Sequence, residues 1–159
     1  MNVTFINPFL NAVVKVVKTM AFVEPEPGRP FLKTESVSLG DVTGVVGLTG
    51  PVNGSVAVSF SEGAILHIVS SMFGEPFRDI NREVEDAVGE LSNIICGDAR
   101  GALDEEGYSF QASIPAVITG KGLKINHTVH EPSVVIPFTV SGDQPFFVES
   151  CFEREKKVG

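Results

Sequence analysis

The sequence predicts an α+β fold: a single domain, with a mostly antiparallel sheet and helices packed on one face. Three observations lead there. Apolar residues recur at three- and four-residue steps in 1–23, 61–74 and 82–106, the signature of amphipathic helices. Stretches within 35–60 and 108–152 instead alternate or are β-branched, and are broken by glycine and proline. The order is helix, strands, helix, helix, strands, with no internal repeat and no visible boundary. The expected organisation is one domain over 1–152 and a charged tail over 153–159.

The first helix carries Leu10, Val13, Val14, Val17, Met20 and Ala21 at helical spacing, with Asn7 as its expected cap and Pro8 at its first position. Glu24–Pro30, with three prolines, reads as a loop between helix and sheet. Ser36–Leu39, Thr43–Thr49 and Ser55–Phe60 read as two or three antiparallel strands, with a hairpin near Gly50–Gly54. Gly44 and Gly47 do not have the spacing of a phosphate-binding loop and read as glycines in a twisted strand. Ser61 caps a short helix whose core face is Ile65, Leu66, Ile68, Val69 and Met72, and Gly74 ends it.

The longest helix is expected over Arg82–Glu106, capped by Asp79 or Asn81. Val84, Ala87, Val88, Leu91, Ile94, Ile95 and Leu103 form its apolar stripe. After Gly107 the strands Tyr108–Ala112, Ala116–Thr119, Leu123–Val129, Ser133–Val140 and Phe146–Phe152 are expected, the last two joined by a turn at Ser141–Pro145.

Composition narrows the function. A net charge of −8, with scattered lysine and arginine, argues against nucleic acid and against anionic membrane surfaces. The apolar runs are too short to span a bilayer, and no signal-peptide pattern is visible. Two cysteines, Cys96 and Cys151, make no disulfide framework, so a reduced cytoplasmic protein is expected. No metal is expected either. His127 and His130 lie three apart in an expected strand and point to opposite faces, and no cysteine pair or nearby carboxylate completes a site.

One constellation stands out. At about 100° per residue, Asp86, Glu90 and Asn93 fall within roughly 60° of one another, away from the apolar stripe. Gly97 shares that arc and Gly101 lies at its margin, leaving a bare strip of backbone that lets another protein come close. Most solvated helices carry acids and amides; an exposed helix without a task would rather carry alanine or lysine than these glycines. Asp98 projects toward the apolar stripe, where it is expected to cap a neighbouring helix or bond a strand backbone.

Asp86, Glu90 and Asn93 fit the pattern Asp/Ser-x-x-x-Glu-x-x-Asn. With Ile6–Leu10, Lys18–Met20, Gly44–Gly50 and Gly54–Phe60, they make the chain resemble the CheC/CheX/FliY family of chemotaxis phosphatases, most closely its CheX branch. On the first helix, Asn11 and Val14 stand at the comparable spacing, so only one site is expected. The resemblance implies a CheC-like fold and hydrolysis of the aspartyl phosphate of a CheY-like response regulator. Asn93 would position the attacking water, and Glu90 would pair with the regulator's active-site lysine. Asp86 would have at most a supporting role, and the Gly97–Gly101 strip would face the partner. Mg2+ would be supplied by the regulator and no cofactor would be bound by this chain. A homodimer formed through sheet edges is also implied, and exposed edges make it physically reasonable. The competing reading is a non-catalytic module that binds a receiver domain or a motor component.

Overall fold

The computed structural model describes residues 3–35, 38–123 and 132–153. All of the expected strand Leu123–Val129 after Leu123, residues Ser36 and Val37, His127 and His130, and most of the charged tail lie outside those residues.

The chain runs α1 (Val3–Ala21), β1 (Glu26–Pro27), β2 (Phe31–Lys33), β3 (Val42–Thr49), β4 (Gly54–Phe60), α2 (Glu62–Phe73), α3 (Arg82–Glu105), β5 (Gln111–Ala112), β6 (Ala116–Thr119), β7 (Ser133–Val140) and β8 (Gln144–Phe152). The sheet order is β1-β7-β8-β4-β3-β5, with β2 also on β7 and β6 also on β3. Every pairing is antiparallel. The α+β architecture predicted from periodicity is thus the observed one.

Alternation along the strands decides which side faces the helices. Val42, Val46 and Leu48 of β3, Val56, Val58 and Phe60 of β4, and Ile136 and Phe138 of β7 join one core with the buried sides of all three helices. Phe60, Phe146 and Phe138 stack in series across β4, β8 and β7, with centroids 5.2 and 5.0 Å apart. On the other face, the Lys33 ammonium reaches past β7 to both carboxylate oxygens of Glu149, at 3.0 and 3.1 Å. Both side chains are nearly fully buried. This pair ties the short edge strand β2 to the middle of the sheet.

Four expectations are corrected. The first helix starts at Val3, so Asn7 is no cap and Pro8 lies inside it. Aromatic burial accounts for the extra turn: Phe5 stacks on Phe152 at 4.5 Å and meets Tyr108 and Phe110 edge-on. Proline near a helix start forfeits little hydrogen bonding. The supposed loop Glu24–Pro30 contains β1, and β2 follows it; Pro27 is tolerated because β1 is an edge strand. Ser38 and Leu39 are not in a strand. Tyr108 does not begin a strand either. Its N–H, like that of Glu106, donates to the Leu103 carbonyl, and Gly107 adopts φ +92°, so the chain is still leaving α3.

Candidate functional site

The site is built on α3. Asn81 caps the helix, its side chain accepting the Val84 N–H at 3.0 Å. Glu83 and Glu85 sit in the first turn, where the helix dipole favours negative charge. Val84, Ala87, Val88, Leu91, Ile95, Ala99 and Leu103 are buried and Ile94 is half-buried, so the predicted stripe is the packed one. The opposite arc is left to solvent: Asp86, Glu90, Asn93, Gly97 and Gly101 are all exposed.

Two close approaches seat the helix on the sheet. A Cβ on Gly44 of β3 would lie 2.1 Å from the Ser92 hydroxyl and 2.9 Å from the Ser92 Cβ. Ser92 is fully buried, and its hydroxyl donates to the Val88 carbonyl at 2.7 Å. The glycine read as ordinary strand punctuation is therefore the position that lets α3 lie against β3. Toward β6, a Cβ on Gly89 would meet Val117 at 3.3 Å, and the Thr119 hydroxyl donates to Glu85 at 2.6 Å. Asn93 follows Ser92 directly, so these contacts also set the height of the polar arc.

Between α3 and β6 runs an open groove of about 510 Å³, lined by Arg82, Glu85, Asp86, Gly89, Glu90, Asn93, Pro115 and Val117. All three residues of the sequence pattern line it. Residues three apart on a helix have Cβ atoms roughly 5–6 Å apart, so Glu90 and Asn93 can act on one small region together. Three carboxylates and one guanidinium, all from α3, line the groove. That balance disfavours a free phosphate anion and suits a cationic group brought by a partner. Gly97 and Gly101 have no neighbouring atom within 4 Å of where a Cβ would stand, so the helix surface there is bare.

Several residues here were not singled out by sequence. Arg82, Gly89, Pro115 and Val117 reach the groove through the packing of α3 on β6, and no local pattern marks them. Asp98 was misread. It lies at the surface and pairs with Lys15 of α1 at 2.9 Å, rather than bonding a helix end or strand backbone. The helices pack so that this edge of the stripe opens between α1 and α3. Cys96 packs in the core, where burial pushes its thiol up to about 12. Cys151 is also buried, and the two cysteines form no disulfide. Of the histidines, His67 is exposed on α2. Among the described residues no three histidine, cysteine or acidic side chains gather as a metal site, and no helix is long and apolar enough to cross a membrane.

Residues 42–139, from the start of β3 to near the end of β7, match the family model described as chemotaxis phosphatase CheX. This chain belongs to the CheX family. The matched span holds α3 and both walls of the groove. A CheC-like superfamily protein from Shewanella sp. PV-4 is similar in structure, with a TM-score of 0.88 and 42% identity over 97% of this chain and 100% of that one. A Thermotoga maritima protein named CheY-P phosphatase CheX is 28% identical over 79% of this chain and 81% of its own length. The CheX chain in a CheX–CheY–BeF3–Mg2+ complex from Borrelia burgdorferi aligns with a TM-score of 0.79 and 29% identity, covering 94% of this chain and 98% of that one.

Proposed function

We propose that this protein hydrolyses the aspartyl phosphate of a CheY-like response regulator, using Glu90 and Asn93 of α3. The observation that carries the reading is their placement: both are exposed, one helical turn apart, on the wall of a groove open to a second protein. The acidic lining supports a protein substrate over a free phosphate, because a receiver brings its own cations to the phosphoryl group.

An aspartyl phosphate is a mixed anhydride, already reactive, so catalysis needs positioning and electrostatics more than covalent help. The Asn93 amide holds a water in line with the bond to be broken. A neutral amide does so without repelling the phosphoryl oxygens. The water oxygen bonds to phosphorus as the bond to the aspartyl oxygen breaks. The regulator's aspartate leaves as a carboxylate, and the water's protons end on phosphate and solvent. Glu90 pairs with the regulator's lysine, a charge-assisted contact that fixes the docking register. Mg2+ is the regulator's; when bound there it neutralises charge on the phosphoryl oxygens. Asp86, further along the same groove, supports the docking surface, and the bare strip at Gly97 and Gly101 gives the partner close access.

Asn93→Ala tests the reading. It should still bind a phosphorylated receiver while losing roughly 10²-fold in phosphate release, the usual effect of removing a group that positions or stabilises the reacting atoms. Equal rates for variant and wild type would refute the catalytic assignment and leave a receiver-binding module.

A further inference from the structure

The loop between β5 and β6 holds an oddly placed side chain. Ile114 is 91% exposed, more than any other large hydrophobic among the described residues. A single exposed aliphatic is ordinary on a protein surface. Here two further facts bear on it. The first is that its backbone is fastened on both sides. The Ser113 N–H donates to the Gly47 carbonyl at 2.9 Å, and the Gly47 N–H donates to the Ser113 hydroxyl at 2.8 Å. After Ile114, Pro115 restricts the backbone, and Ala116 pairs with Val45 in the sheet. The second is position. Pro115, the next residue, lines the same groove as Glu90 and Asn93.

We propose that Ile114 is an apolar docking knob at the rim of the groove, seated in the phosphorylated receiver when Asn93 engages its reaction centre. This rests on the reading that the groove receives such a receiver. A specific protein interface covers about 800 Å² per partner, equivalent to a disc roughly 16 Å in radius. Consecutive Cα atoms are about 3.8 Å apart, so a footprint centred on the groove that contains Pro115 also contains Ile114. The backbone under the knob is held before the partner arrives, so little main-chain ordering opposes its burial. It also complements the site chemically. Glu90 and Asn93 supply charge and orientation, whereas Ile114 supplies apolar contact that does not change as the reaction proceeds. It therefore strengthens binding without altering the chemical step.

The test measures two quantities on the full chain. One is the dissociation constant for a CheY receiver loaded with beryllofluoride and Mg2+. The other is kcat for phosphate release at saturating phosphorylated receiver. Ile114→Ala, which removes three carbons, should weaken binding roughly 10- to 50-fold and leave kcat unchanged. Ile114→Leu should bind within about threefold of wild type, because it keeps the apolar volume. An unchanged dissociation constant for Ile114→Ala overturns the proposal. So does a change of assembly state in sedimentation, which would assign the knob to a second copy of this chain. Asn93→Ala separates this proposal from the reading beneath it. If Asn93→Ala loses kcat while Ile114→Ala binds normally, only the knob fails; if Asn93→Ala hydrolyses at the wild-type rate, the catalytic reading fails.

Discussion

Gly44→Ala is the most informative perturbation of the scaffold. The added Cβ would stand 2.1 Å from the Ser92 hydroxyl and 2.9 Å from the Ser92 Cβ, where ordinary contact begins at 3.4 Å. The shortfalls are 1.3 Å and 0.5 Å. Rotating the hydroxyl away relieves only the first, so α3 must lift from β3 by about half an ångström at least, and by more if Ser92 keeps its bond to Val88. Overpacking of this kind costs about 1–3 kcal/mol, which in a protein of this size lowers Tm by roughly 2–12 °C. The displaced turn carries Asn93, and a misplacement of about 1 Å can cost 10²-fold in rate. Chemical denaturation and phosphate release from a phosphorylated receiver would measure the two effects. Gly47→Ala is the control on the same strand. Its Cβ would meet only Ser113, at 3.5 Å or more, so stability and activity should stay near wild type. In the Gly44→Ala background, Ser92→Ala removes the worse contact and should restore part of the rate. If Gly44→Ala is as stable and as active as Gly47→Ala, the seating of α3 on Gly44 is refuted.

Other consequences are open to measurement. Glu90→Gln keeps the shape of the groove wall but removes the charge proposed to pair with the partner's lysine. It should raise KM for phosphorylated receiver about tenfold, and a salt-dependence of KM no different from wild type would count against that pairing. Lys33→Met removes the cation from a buried carboxylate and should cost about 3–5 kcal/mol in equilibrium unfolding, whereas Lys33→Met with Glu149→Leu should recover most of it. The Cys96 thiol, at about 12 when folded, should resist alkylation at pH 8 until the protein unfolds. Because the unfolded chain releases that proton at lower pH than the folded one, this thiol's contribution to stability should fall as pH rises from about 9 to 12, which urea titrations across that range would show. A homodimer through sheet edges, expected from the resemblance, should appear as a two-chain species in sedimentation at micromolar concentration; monomer alone would exclude it there.

Much of the architecture is decided by local chemistry. Periodicity specified α2 with its cap at Ser61, and α3 with Asp79 or Asn81 as cap, of which the structure uses Asn81; alternation specified β3, β4, β7 and β8, because each element must bury one face whatever its neighbours are. The same periodicity put Asp86, Glu90 and Asn93 on one arc, since a helix fixes the angle between its own side chains. What surrounds that arc was beyond local reading. The start of α1 at Val3 depends on Phe5 finding Phe152 nearly 150 residues away, and the partner of Asp98 depends on how α1 lies beside α3. The groove exists because Gly44 and Gly89 admit α3 close to β3 and β6, which brings Pro115 and Val117 opposite Glu90 and Asn93. Such contacts join residues distant in sequence, and their energy appears only once the core has closed. The chain alone thus settles which side chains stand together on a helix; the packing of that helix on the sheet decides what they face.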